Sequence, residues 1–296
     1  MCLLAWGGCT DRPRVSTTEG RAVFACDESV LPAMRAVAED FMRTYEKAVI
    51  VLRSVQGREG AAEFVNDTTS MIVMGRAFNK EERDALKARG TEYQSTAVAR
   101  DAVAVIVHPS APFRTMRVSM LDSIFSGSLT RWPGGGGVVE VYIGNVNSST
   151  NEVFRAAVLD GRPFGLTAEP LSSDEAVVEK VASHPDAIGI AGLGWLRGRD
   201  AEVAVLGLGR PGVRADSTEP PGRFYTPHQA HVHRRYYPVT RPVVMHSKAL
   251  LRDVGYGFIS YAASHAGQQV FLNNGLVPVT MPVRLVELTS DEVDER

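Results

Sequence analysis

The segment Val138–Arg155 constrains the fold most, because its residue pattern changes from strand to helix over one short stretch. Val138-Val139-Glu140-Val141-Tyr142-Ile143 is a β-branched and aromatic run and reads as a strand. Gly144-Asn145-Val146-Asn147-Ser148 follows as a small, mostly polar turn. Ser149 or Thr150 then reads as the N-cap of a helix, with Glu152 in its first turn. Hydroxyls and unpaired N–H groups at a helix N-terminus favour negative charge, so this junction suits an oxyanion. The same residues also make an ordinary capped turn. Spacing alone leaves both readings open.

A second junction of this kind opens the chain. Arg21–Cys26 reads as a strand, and Asp27-Glu28-Ser29 follows. Val30, Leu31, Met34, Val37, Ala38, Phe41, Met42 and Tyr45 then recur at helical spacing, with Ser29 as the expected N-cap. Ala48–Leu52 and Ser70–Met74 read as strands, separated by a flexible turn through Ser54 and Gly57 and a helix at Ala61–Asn66. Asn79 caps a solvated helix that Gly90 stops. Tyr93–Ala99 and Ala102–Val107 are two extended runs in quick succession. Met120–Phe125 is a short helix. Ser172 or Ser173 caps another, and Ala187–Gly192 and Ala201–Leu206 read as strands. Gly207–Arg235 reads as an irregular insert. Tyr237–Met245 is extended, Tyr256–Ala263 and Gly267–Leu272 are helical, and Gly275–Val279 is extended. Strands alternating with helices predict an α/β fold.

Composition narrows the function classes. The 296 residues are 44% hydrophobic and 22% charged, which suits a globular chain with room for two domains. A formal net charge of −2 gives no basic field for nucleic acid. Cys2-Leu3-Leu4-Ala5-Trp6-Gly7-Gly8-Cys9 resembles the end of a bacterial lipoprotein signal, with Cys9 as the lipid acceptor. Asp11–Gly20 then reads as a tether. Loss of Cys2 with the signal leaves Cys26 without a disulfide partner, and it reads as a small buried residue. His228-Gln229-Ala230-His231-Val232-His233 raises a metal site, but lies in the irregular insert without a nearby acid. P-loop, Gly-x-Ser-x-Gly and His-Glu-x-x-His motifs are absent from the sequence, so no metal, cofactor or catalytic residue is expected.

Several segments together resemble the phosphate-binding proteins of bacterial phosphate ABC transporters. Ala99-Arg100-Asp101-Ala102-Val103-Ala104-Val105-Ile106-Val107-His108-Pro109 resembles their hinge-proximal strand, and Leu121–Trp132 their helix-and-tryptophan segment. Asn147-Ser148-Ser149-Thr150 is similar to their anion loop. Ala187-Ile188-Gly189-Ile190, Tyr237-Pro238-Val239-Thr240-Arg241-Pro242, Gly267-Gln268-Gln269 and Gly275–Val279 complete the series in order. The resemblance implies a two-lobed periplasmic-binding-protein-like fold of type II, with hinge strands and a ligand cleft. Residues 21–98 and 243–284 would form one lobe and 99–242 the other, between a signal remnant at 1–20 and an acidic tail at 285–296.

Carried over residue by residue, the resemblance places Ser148, Ser149, Thr150, Ser29, Gly57 and Arg76 on phosphate. Ser149 stands where the family has glycine, Gly75 lacks the usual hydroxyl, and Arg76 is left as the sole expected ligand cation. Asp27 or Glu28 would accept the proton that phosphate carries and sulfate lacks. The implied protein is exported, lipid-anchored and monomeric, and passes phosphate to an ABC permease and its ATPase without catalysis. Binding of another oxyanion or of a phosphorylated small molecule, and a receptor subunit that reports ligand, remain as alternatives. A phosphohydrolase is a further one.

Overall fold

The computed structural model describes residues 16–134, 136–210, 222–248 and 252–280. Strand β1 (Gly20–Asp27) lies between β2 (Ala48–Val55) and β3 (Met71–Met74), parallel to both. Parallel neighbours need crossovers. Helices α1 (Leu31–Thr44) and α2 (Gly57–Val65) supply them. Alternation along β1 sends Phe24 and Cys26 into a cluster with α1, and Ala25 into one with Phe64 of α2. Cys26 is fully buried, and burial pushes its thiol well above the ordinary range. Helix α3 (Lys80–Ala88) opens on a complete capping box between Asn79 and Glu82.

The two extended runs expected at Tyr93–Ala99 and Ala102–Val107 form one strand, β4 (Gln94–Val107). Arg100 and Asp101 break the apolar pattern but not the ladder. The chain continues through β5 (Thr115–Arg117), α4 (Val118–Phe125), β6 (Glu140–Ile143) and α5 (Ser149–Val158). Then come β7 (Ala168–Pro170), α6 (Asp174–Ser183) and β8 (Ala187–Gly192). The strand expected at Ala201–Leu206 shortens to β9 (Ala204–Val205). The expected irregular insert contains β10 (Gly207–Gly209), paired with β5, and a short helix α7 (Gln229–His233). Strand β11 (Thr240–Ser247), helices α8 (Val254–Ala263) and α9 (His265–Asn273), and β12 (Val277–Pro278) complete the described chain. Cys9 and the tail 285–296 lie outside the described residues.

The main sheet runs β2-β1-β3-β11-β4-β8-β6-β7, with β9 and β12 also on β4. The apolar side chains divide along it. Phe24, Met34, Phe41, Val98, Ala99, Val243 and Phe258 share one cluster. Ala102, Val103, Val105, Ile143, Phe154, Ile190 and Val239 share another. The result is a two-lobed α/β fold, with β4 and β11 passing side by side from one lobe to the other. Arg241 pairs with Asp101, and Pro242 with Arg100, where the two strands cross.

Gln268, fully buried in α9, ties this crossing to the C-terminal strand. Its side-chain N–H groups donate to Val98 O and Ala262 O, both at 2.7 Å. Its carbonyl accepts from Val279 N at 2.7 Å and Thr280 N at 3.1 Å. Replacing it with leucine keeps the volume and leaves four main-chain groups unpaired. Gln268→Leu is expected to lower unfolding free energy by roughly 2 kcal/mol or more, read from urea denaturation midpoints; an unchanged midpoint would refute this role.

Candidate functional site

A long cation buried inside a strand must be paired. Arg241 of β11 is 2% exposed and lies where the two lobes meet. Asp101 of the neighbouring β4 holds its Nε at 2.9 Å and its Nη2 at 2.8 Å through one carboxylate oxygen. The other face of the guanidinium reaches into both lobes. Nη2 donates to Ser29 O at 3.0 Å, and Nη1 donates to Ser29 Oγ at 3.0 Å and Thr150 Oγ1 at 3.2 Å. Burial works against the arginine charge, but Asp101, Asp27 and Asp174 more than offset it and raise its pKa. Burial likewise raises Asp101, and Arg241 opposes the shift.

Ser29 is presented by a tight turn rather than by the helix cap expected of it. Asp27 ends β1 and accepts from Ser29 N at 3.1 Å and Ser29 Oγ at 2.9 Å through one oxygen. Its second oxygen accepts from Gly75 N at 3.0 Å, at the end of β3. Glu28–Val30 is a 3-10 turn, and α1 begins after it with no side-chain cap. A side chain at Gly75 would bring its Cβ within 3.0 Å of both Arg241 Nη1 and Ser29 Oγ. The glycine that lacks the expected hydroxyl therefore makes room for the guanidinium.

The opposite lobe contributes the N-terminus of α5. Ser148, not Ser149 or Thr150, is its N-cap: the Ser148 side chain accepts from Thr150 N at 3.1 Å. That releases Ser149 and Thr150 to face inward, both fully buried. Thr150 Oγ1 donates to Asp174 Oδ2 at 2.6 Å, and Ser149 Oγ has no hydrogen-bond partner. Gly57, the first residue of α2 in the other lobe, sits directly against Ser149. A Cβ there would collide with the serine hydroxyl and lie 3.1 Å from its amide. Two helix N-termini thus meet head to head, each with its positive end toward the other.

Glu28 was an expected proton acceptor on the ligand, beside Asp27. Its carboxylate instead crosses between lobes to the N-terminus of α6, where Oε2 accepts from Asp174 N at 3.2 Å. Burial, and then the charge of Asp174, push Glu28 up to about 8. Burial also raises Asp174 to about 6, against the pull of Arg241. Glu28 therefore carries its proton near neutral pH and is not free to accept one there.

Arg76 does not stand among these groups. Its two terminal nitrogens donate to Glu82 at 2.8 and 2.7 Å, and its Nε pairs with Glu152. The cation at the convergence is Arg241. Ser29, Gly57, Ser149 and Thr150 come together, Ser148 supports them as a cap, and Asp27 lies behind Ser29. Sequence reading missed Arg241, Asp101 and Asp174. The available signal was charge inside apolar strands, at Arg100-Asp101 in β4 and at Thr240-Arg241 in β11. His228 and His231 are engaged locally in α7: His228 Nδ1 accepts from Ala230 N, and His231 Nδ1 lies 2.9 Å from Thr226 O. Among the described residues, no cluster of three or more histidine, cysteine or acidic side chains is disposed to hold a metal.

Two lobes joined by paired strands, with a buried polar site between them, define a bilobed binding fold. The chain belongs to the PBP superfamily, whose domain model matches residues 13–266. It is 26% identical over 270 residues to Protein SphX of Synechococcus elongatus, covering 84% of this chain and 75% of that one. It is 21% identical over 300 residues to the phosphate-binding protein PstS of Pseudomonas aeruginosa, covering 95% and 89%. A phosphate ABC transporter substrate-binding protein from Clostridium perfringens, solved with phosphate, superposes with a TM-score of 0.74 at 20% identity. That match covers 88% of this chain and all of the other, 100%. The second and third of these are named as binding proteins. Among the described residues, no helix is long and apolar enough to cross a membrane.

Two expectations follow. Asp101→Asn removes the charge facing a fully buried guanidinium and should cost about 3–5 kcal/mol of stability, measured by chemical denaturation; a loss below ~1 kcal/mol would show that Asp101 does not carry this pairing. The second concerns pH. Glu28 is neutral in both states well below its ordinary value of 4.5; above it the unfolded chain ionises while the folded one resists, up to about 8. Its stabilising contribution is therefore full at low pH and declines as pH rises through that window. Glu28→Gln should flatten the decline in unfolding midpoint between pH 5 and 8, and an identical slope in both proteins would count against a raised Glu28.

Proposed function

We propose that this protein is an extracytoplasmic solute-binding protein that captures inorganic phosphate between its lobes for an ABC transporter and performs no chemistry on it. One observation carries the reading: Ser29 from one lobe and Thr150 from the other meet a single guanidinium, with Ser149 Oγ beside them without a partner. Tetrahedral oxyanions are bound by this combination of hydroxyls, helix N-termini and arginine. The relatives named as phosphate-binding proteins supply the ligand. Ser29, Gly57, Ser149, Thr150 and Arg241 are the proposed contacts, with Ser148 as their cap.

Lobes of 21–98 with 243–284, and of 99–242, are proposed to close around the anion by bending where β4 and β11 cross. Asp27, in contact with the Ser29 hydroxyl, is the acid placed to disfavour fully deprotonated sulfate. A lipid on Cys9 would tether the monomer at the membrane, beside the permease and ATPase that receive the ligand. Ser29 Oγ is held between the Asp27 carboxylate and Arg241, and Ser149 Oγ faces Gly57, positions that suit both hydroxyls as anion contacts.

Isothermal titration with phosphate, sulfate and molybdate tests this. Saturable one-to-one phosphate binding is expected, weakened roughly 10- to 100-fold in Thr150→Val by loss of one charge-assisted hydrogen bond. Asp27→Asn should narrow the preference for phosphate over sulfate. Phosphate without effect, beside saturable sulfate or molybdate binding, would transfer the site to that anion.

A further inference from the structure

The lobes also meet at the rim, away from Arg241 and the inward hydroxyls. Glu152, in the first turn of α5, faces two arginines of the opposite lobe. Its Oε1 accepts from Arg58 Nε of α2 at 2.8 Å, and its Oε2 pairs with Arg76 Nε after β3. Weaker contacts flank it. Arg58 N donates to Asn147 O at 3.0 Å, Asn147 Nδ2 to Glu59 Oε1 at 3.3 Å, and Gln56 Nε2 to Ser172 O at 3.3 Å. All of these cross from α2 or β3 to the α5 and α6 side.

The charges are arranged unequally. Arg76 already has both terminal nitrogens on Glu82 of its own lobe, so it is compensated whether or not the lobes touch. Glu152 has its two cations only while they touch. Its side chain is 15% exposed and that of Arg76 9%, which keeps the pair from being screened like a surface bridge. A contact made in one conformation alone shifts the equilibrium toward it by its full differential free energy. Glu152 also lies on the helix that presents Ser149 and Thr150, so drawing it in seats those residues as well.

We propose that Glu152 is a latch between the lobes: it favours the closed form and sets how long a captured anion stays, without touching the anion. It is a positioning residue. The claim about residence rests on the anion-site reading above, whereas the claim about closure does not.

The test uses Glu152→Gln and Arg58→Gln with a dye pair, one on each lobe, and stopped-flow release of phosphate. In Glu152→Gln, release is expected to accelerate about 10-fold while association changes less than ~3-fold, the size of a typical single coupling. The dye separation without phosphate should increase. Arg58→Gln, whose parent side chain is half exposed, should show both effects more weakly. If Glu152→Gln does not fold, the Arg58→Gln measurements decide. Wild-type separation in a folded variant overturns the latch, whatever happens with phosphate. Failure of wild type to bind phosphate removes the anion reading alone, and the dye separation still decides the latch.

Discussion

Everything at the centre of this protein depends on keeping one guanidinium charged where burial removes it from bulk solvent. Arg241 is among the largest fully buried side chains. Asp101 takes one side of it, and the other side is left to aim at hydroxyls from both lobes. An unpaired buried cation would be prohibitive, and a cation fully surrounded by carboxylates would have no N–H left for the hydroxyls. The site lies between these limits, because Asp27 and Asp174 bear on Arg241 at longer range while bonding elsewhere.

The surrounding architecture follows from that requirement. Strand pairing places Arg241 opposite Asp101 in register, so the ion pair sits at the crossing of β4 and β11. Glycine clears the space around it: Gly75 beside the guanidinium, and Gly57 where two helix ends approach too closely for any side chain. Glu28 bridges to α6, and burial together with the nearby charge of Asp174 favours its neutral form there.

Much of the fold was legible because apolar periodicity is local. The strand–turn–helix junctions at Cys26–Met34 and Val138–Arg155, and the helices at Tyr256–Ala263 and Gly267–Leu272, appear close to where their patterns put them. The misreadings came from reading local chemistry alone. Asp101 looked like a break between two strands, yet a buried charge can remain in a ladder if its partner sits on the next strand. Arg76 looked available because Glu82 and Glu152, which neutralise it, are supplied by a helix turn and by a distant segment. Ser149 looked like a cap, but Ser148 takes that role and turns Ser149 inward.

Sequence alone determined that the chain alternates strands and helices and that hydroxyl-bearing turns open two of those helices. Those properties depend on neighbours a few residues apart. Only the tertiary structure decided which cation joins the hydroxyls, which acids hold a proton, and which glutamate spans the rim. Each depends on groups brought together across the sheet, such as Ser29 and Arg241, 212 positions apart. Charge pairing and desolvation are set by distance in space, and no periodicity encodes them.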